Sequence, residues 1–208
     1  MPMRLIFPFF LAQLAFGQGL LGNRVQIGTV GGVSLTESFR GFGINESKRY
    51  LIGPSVEVRI HGGFAVELDA IYRRLGSSGA FDSRVSPEGP TYLYSFKVRG
   101  NSWELPVLAK YNFERRIAGM RPFLATGYAF RTGWSKTENR TTNPIVTTII
   151  YGSDSRDRLS IGAVAAAGVN LQAGHLRISP QFRYTRWGDS AGNRQPNNQV
   201  DFMVGIHF

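Results

Sequence analysis

Val200, Phe202, Val204, Ile206 and Phe208 put an apolar side chain at every second position of the last nine residues, with Asp201, Met203, Gly205 and His207 between them. Successive side chains of a strand point to opposite faces, so this segment shows one wholly apolar face and one mixed face. A period of two excludes an amphipathic helix, whose apolar positions return every three or four residues. A face this apolar, ending on an aromatic, is unusual against water. It suits a last strand that closes a cylinder in hydrocarbon.

The same period recurs along the chain and predicts eight strands. They cover about residues 24–35, 50–60, 64–75, 101–113, 121–132, 159–171, 176–187 and the C-terminal stretch. The cleanest carries Trp103, Leu105, Val107, Ala109, Tyr111 and Phe113 in phase. The fifth is ambiguous: Pro122, Leu124, Thr126, Tyr128 and Phe130 form one face, yet Phe123 lies off it. The sixth is apolar on both faces, and Gly162 and Gly168 favour strand over helix.

The connections alternate between long and short. Long ones are expected at about 36–49, 76–100, 133–158 and 188–198, rich in Gly, Ser, Pro and Asn and read as exposed and mobile. Short ones are His61-Gly62-Gly63, Glu114 to Met120, and Gln172 to His175. That asymmetry is the layout of an all-β, eight-stranded antiparallel up-and-down transmembrane barrel, with long extracellular loops and short periplasmic turns.

Composition narrows the setting. Met1 to Phe16 has one early Arg and a nearly continuous apolar run, and Ala15-Phe16-Gly17 offers small residues for a cut before Gln18. This predicts a signal peptide over 1–17 and a barrel domain over 18–208. No other stretch approaches the ~20 apolar residues of a spanning helix. With no cysteine, neither disulfides nor a lipidated Cys can contribute. The net charge of +10 could suggest nucleic acid, but the basic residues are scattered and the leader argues for export.

Facing and height assign roles. Aromatics near strand ends, Phe64, Tyr72, Trp103, Phe113, Tyr184, Trp187 and Phe208, are expected at the two lipid–water boundaries. The opposite faces carry Glu57, Arg59, Glu67, Asp69, Arg73, Glu104, Lys110, Arg177, Arg183 and Asp201. An eight-stranded barrel is just wide enough for its side chains to fill. Buried charges need partners, so these five acids and five bases predict a lumen sealed by ion pairs. In a soluble barrel of inverted polarity they would instead be the wet outside.

These features together resemble the small outer-membrane β-barrel family that includes OmpA-like transmembrane domains, over about residues 19–208. The resemblance rests on the leader, the strands and Phe202-Met203-Val204-Gly205-Ile206-His207-Phe208. It implies that Val204, Gly205, Ile206 and Phe208 carry a signal read by the barrel assembly machinery. It also implies outer-membrane lipid and lipopolysaccharide as surroundings. The chain ends at the barrel, so the peptidoglycan-binding domain of two-domain relatives is not carried over.

Little suggests chemistry. His61, His175 and His207 are expected as solvated residues at the periplasmic rim, far from lipid A, with no Ser-and-carboxylate constellation. No cofactor, metal or nucleic acid is implied. Asn45-Glu46-Ser47 and Asn139-Arg140-Thr141 match the glycosylation pattern but read as ordinary loop residues. The reading is a monomeric, non-enzymatic barrel that holds four exposed loops for surface interaction. A narrow porin-like channel is the alternative, ahead of a lipid A-modifying enzyme or a secreted ligand-binding barrel.

Overall fold

Runs of alternating apolar and polar residues pair edge to edge in the computed structural model, which describes residues 24–36, 44–84, 91–117, 119–142, 149–156, 158–188 and 197–208. The expected leader lies outside them. The strands are β1 (Val25–Ser34), β2 (Ile44–Asn45), β3 (Tyr50–Arg59), β4 (Phe64–Asp69), β5 (Ile71–Arg84), β6 (Thr91–Asn112), β7 (Arg121–Thr142), β8 (Ile149–Arg156), β9 (Ser160–Ala173), β10 (Leu176–Trp187) and β11 (Asn198–His207).

Eight staves result. β4 and β5 are one stave, broken at Ala70, whose N–H still donates to Pro54 O at 3.0 Å. β8 and β9 are likewise one stave along β7, and β2 is a two-residue bridge on β5. Neighbouring staves pair antiparallel, and β1 pairs with β11 from Gly28 opposite His207 to Ser34 opposite Asp201. The cylinder is therefore closed, as spanning strands require, because no unpaired edge can be left in hydrocarbon.

The short turns follow from local chemistry. Gly62 and Gly63 take φ of 58° and 86°, and Phe64 N–H donates to His61 O at 3.0 Å. Two consecutive left-handed residues match the twist of a tight hairpin and suit glycine. Gly174 holds the β9–β10 turn at φ 61°.

The strand faces separate cleanly. On β6, Trp103, Leu105, Val107 and Ala109 point outward, as does Phe113 just past its end, while Ser102, Glu104, Leu108 and Lys110 are buried inside. Residues 103–113 give an apolar band of about 25 Å at the usual tilt. Past it the outward side chains turn charged: Arg99 on β6, and Lys136, Glu138 and Arg140 beyond Trp134 on β7.

Two expected loops are corrected. Residues 76–100 and 133–158 are largely sheet: β5 runs to Arg84, β6 begins at Thr91, and β7 continues to Thr142 beside β8. Beyond the bilayer the outward face meets water, so the apolar alternation that marks a spanning strand fades although the hydrogen-bond ladder continues. Thr91-Tyr92-Leu93-Tyr94-Ser95-Phe96 is β-forming composition, and that was the signal available. The expected loop at 188–198 lies mostly outside the described residues.

Candidate functional site

Two features can carry function: the packed lumen and the sheet that projects beyond the membrane.

In the lumen, carboxylates come from β3, β4, β6 and β11, and cations reach them from β5, β6 and β10. Arg177 holds Glu57 with both terminal nitrogens, at 2.5 and 2.7 Å. Lys110 bridges Glu57 at 2.9 Å and Glu67 at 2.7 Å. Arg183 joins Glu67 at 3.1 Å to Asp69 at 2.8 Å. Nearer the long-loop end, Arg73 sits between Glu104 at 2.8 Å and Asp201 at 2.5 Å. Its Nε meets Glu104 as an ion pair without hydrogen-bond alignment. Gln199 donates to Glu104 at 3.2 Å and to Asp201 at 2.8 Å. All these side chains are buried. Each ion is costly alone and tolerable in this company, since several opposite charges surround it.

Nine of the ten residues expected in the lumen are buried there. Arg59 is the exception: it stands at the short-turn mouth, 3.9 Å from Glu57, with its side chain 45% exposed. The fifth interior base is Arg131 on β7, 3% exposed. The buried set is Glu57, Glu67, Asp69, Glu104 and Asp201 against Arg73, Lys110, Arg131, Arg177 and Arg183, so its formal charge cancels among the described residues. Sequence reasoning missed Arg131 because the phase of its strand was ambiguous. The structure resolves that phase: Leu124 and Tyr128 point out, and Phe123 points in beneath Lys110, whose Nζ lies 3.9 Å from the ring centre.

Two further expectations are corrected. Trp187 does not face lipid. It is 2% exposed, donates Nε1–H to Gln199 Oε1 at 3.0 Å, and carries the Arg131 guanidinium 4.1 Å over its ring. Its odd position puts it in phase with inward Arg183 and Thr185; height along the strand had suggested a girdle, but parity decides the face. His207 is not a solvated rim residue. It is 2% exposed, with Nε2 3.1 Å from Ser55 Oγ. It alternates with apolar Ile206 and Phe208, which takes it inside.

The double apolarity of β9 has a packing cause. A Cβ on Gly162 would come 2.8 Å from the Trp187 ring, and one on Gly168 would come 2.7 Å from Phe123. Small residues on this wall make room for two inward aromatics. With Leu108, Ala125, Ala129, Val164 and Ala166, Trp187 forms an apolar plug, and Val30, Leu51, Ile71 and Met203 form a second.

Phe64, Trp103, Phe113, Tyr184 and Phe208 are exposed outside, and Tyr72 stands beside Trp103 at 5.3 Å between ring centres. Val204, Ile206 and Phe208 share the outer face of β11, whereas Gly205 faces the lumen against His207.

The projecting sheet is made by the upper parts of β5, β6, β7 and β8. Phe81 and Tyr94 stack at 5.4 Å, with Tyr92 6.4 Å from Tyr94, and Tyr151 is exposed on β8. Basic Lys97, Arg99, Lys136, Arg140 and Arg156 outnumber acidic Asp82, Glu138 and Asp154 on it. Among the described residues β8 pairs only with β7.

An apolar belt around a closed, ion-paired interior defines a transmembrane β-barrel of the outer-membrane type. Residues 11–188 match the family model of the outer membrane protein beta-barrel domain, and the chain belongs to that family, placing it in the bacterial outer membrane. Neisserial surface protein A is similar in structure at 15% identity and a TM-score of 0.50, over 89% of this chain and 96% of that one. The N-terminal barrel domain of Pseudomonas aeruginosa OprF is 18% identical (TM-score 0.44), over 89% of this chain and 98% of that one. The attachment invasion locus protein Ail of Yersinia pestis is 12% identical (TM-score 0.40), over 88% of this chain and 95% of that one. At these identities the likeness is one of fold. A search of curated proteins finds no match.

Proposed function

We propose that this protein is a non-enzymatic scaffold whose barrel holds a sheet and loops outside the membrane for surface interaction. The observation that carries this reading is the continuation of four staves past the apolar belt, with stacked aromatics and excess base. Exposed aromatics and Arg are the residues that anchor interfaces. Lipopolysaccharide phosphates are the first anions the basic residues would meet.

The lumen supports a passive interior. Ser55 and His207 are within hydrogen-bond reach, but His207 Nδ1, where a triad would put its carboxylate, has no partner among the described residues. Both residues are sealed from any lipid substrate. Ion pairs and two apolar plugs favour a closed barrel over a channel. Entry into the membrane follows, in this reading, leader cleavage before Gln18 and recognition of the Val204–Phe208 signal by the assembly machinery.

The test pairs two measurements on purified protein. Planar bilayers should show no steady conductance for the wild type and leak after Glu67→Ala or Arg183→Ala. Fluorescent lipopolysaccharide should bind, and bind less to a Lys97→Gln/Lys136→Gln/Arg140→Gln variant. Steady wild-type conductance would favour the porin-like alternative, and unchanged lipopolysaccharide binding would remove the sheet's assigned role.

A further inference from the structure

The short-turn end of the barrel opens into a cavity of about 450 Å³. Its lining includes Arg24, Arg59, Arg116, Arg121 and Arg177, and no Asp or Glu among the described residues. This is unlike the lumen just above it, where Arg73, Lys110, Arg177 and Arg183 are each met by carboxylates. The side chains of Arg24, Arg116 and Arg121 make no ion pair or hydrogen bond among the described residues, and that of Arg59 has only the 3.9 Å approach to Glu57. Arg177 spends both terminal nitrogens on Glu57, yet its buried Nε has no hydrogen-bond partner among the described residues. Five guanidinium groups sharing one concavity repel one another unless an anion joins them, and their forked donors match tetrahedral oxyanions. The volume lies in the range of small-ligand sites.

Position narrows the source. Ile60 and Phe64 line the same cavity and are exposed on the outer wall at the lower edge of the apolar belt. Short turns face the periplasm in barrels of this class, so the cavity opens at the depth of periplasmic-leaflet head groups. We infer that this mouth is a binding site for a phosphate group, supplied by an anionic phospholipid of the inner leaflet. It would tie the barrel to that leaflet and neutralise charge that the lumen leaves uncompensated.

Native mass spectrometry of the full mature protein in mild detergent tests this, using phosphatidylglycerol and phosphatidylcholine in parallel. The wild type should retain phosphatidylglycerol selectively. Arg59→Gln/Arg121→Gln should weaken that retention by about tenfold or more, as loss of two charge-assisted contacts implies. Lys48→Gln/Arg49→Gln, exposed toward the opposite end, should not. Heat-modifiable gel mobility of each variant shows that the barrel has formed. If millimolar inorganic phosphate displaces the lipid from wild type, the site stands and free phosphate is an alternative source; if it does not, the lipid is the source. Equal retention of the two lipids, or equal loss in both double variants, overturns the inference.

Discussion

Glu57→Gln is the sharpest test of how the lumen is held. Glu57 is fully buried and takes two hydrogen bonds from Arg177 and one ion pair from Lys110. At charge separations near 4 Å and an effective dielectric of about 20, each pair is worth about 4 kcal/mol of Coulomb energy. Desolvating the ions offsets most of that, at several kcal/mol each. The variant loses the attraction and keeps the desolvated Arg177, while Lys110 retains Glu67 at 2.7 Å. The expected cost is about 3–5 kcal/mol. Guanidinium unfolding in lipid vesicles, followed by the heat-dependent shift on cold SDS gels, measures it. Arg177→Met added to Glu57→Gln removes the orphaned cation and should recover much of the loss, so the two changes are strongly non-additive. A single-variant cost within about 1 kcal/mol, the size of an ordinary surface change, or strict additivity, would refute the account.

Other outcomes follow from the same geometry. Trp187 fluorescence should resist both aqueous acrylamide and brominated lipid, whereas Trp103 should be quenched by the lipid; Trp187→Ala should cost about 3–5 kcal/mol by unfolding midpoint. Gly168→Val should destabilise by about 1–3 kcal/mol or block folding, because the new Cβ meets Pro180 O and the Phe123 ring. Outside the membrane, Ser78 Oγ donates to Glu46 and Lys97 lies 3.7 Å away, and that hydrogen bond, with Lys97, holds the Glu46 carboxyl below its ordinary 4.5. A depressed folded value means the β2–β5 tether gains from Glu46 above the ordinary carboxyl range and loses that support as pH falls through the folded value. NMR titration should show the low value, and Ser78→Ala should move it back toward 4.5.

What the sequence disclosed was whatever the hydrocarbon imposes. The outward parity of β3, β4, β6, β10 and β11 was legible because a lipid-facing strand must be apolar at every second residue, and the buried ions follow from the same parity. Legibility stopped where that demand stopped. Above Trp103 and Trp134 the outer sheet face meets water, so β8 and the upper parts of β5, β6 and β7 read as loops. On β7 and β9 the lumen itself is apolar, which hid Arg131 and left Phe123 unplaced. Trp187 shows that residue type and height mislead when parity is available. The convergence of Arg24, Arg59, Arg116 and Arg121 on one mouth needed the register that brings four separate segments together.

The absence of native cysteine permits one direct test of which face meets lipid. Single cysteines at positions 104 through 109 of β6, each carrying a bimane label in reconstituted vesicles, can be probed with nitroxide-bearing lipid. Labels at 105, 107 and 109 should be quenched strongly, and those at 104, 106 and 108 weakly. A flat profile, or one with the parity reversed, would contradict a barrel with hydrocarbon outside and paired ions within.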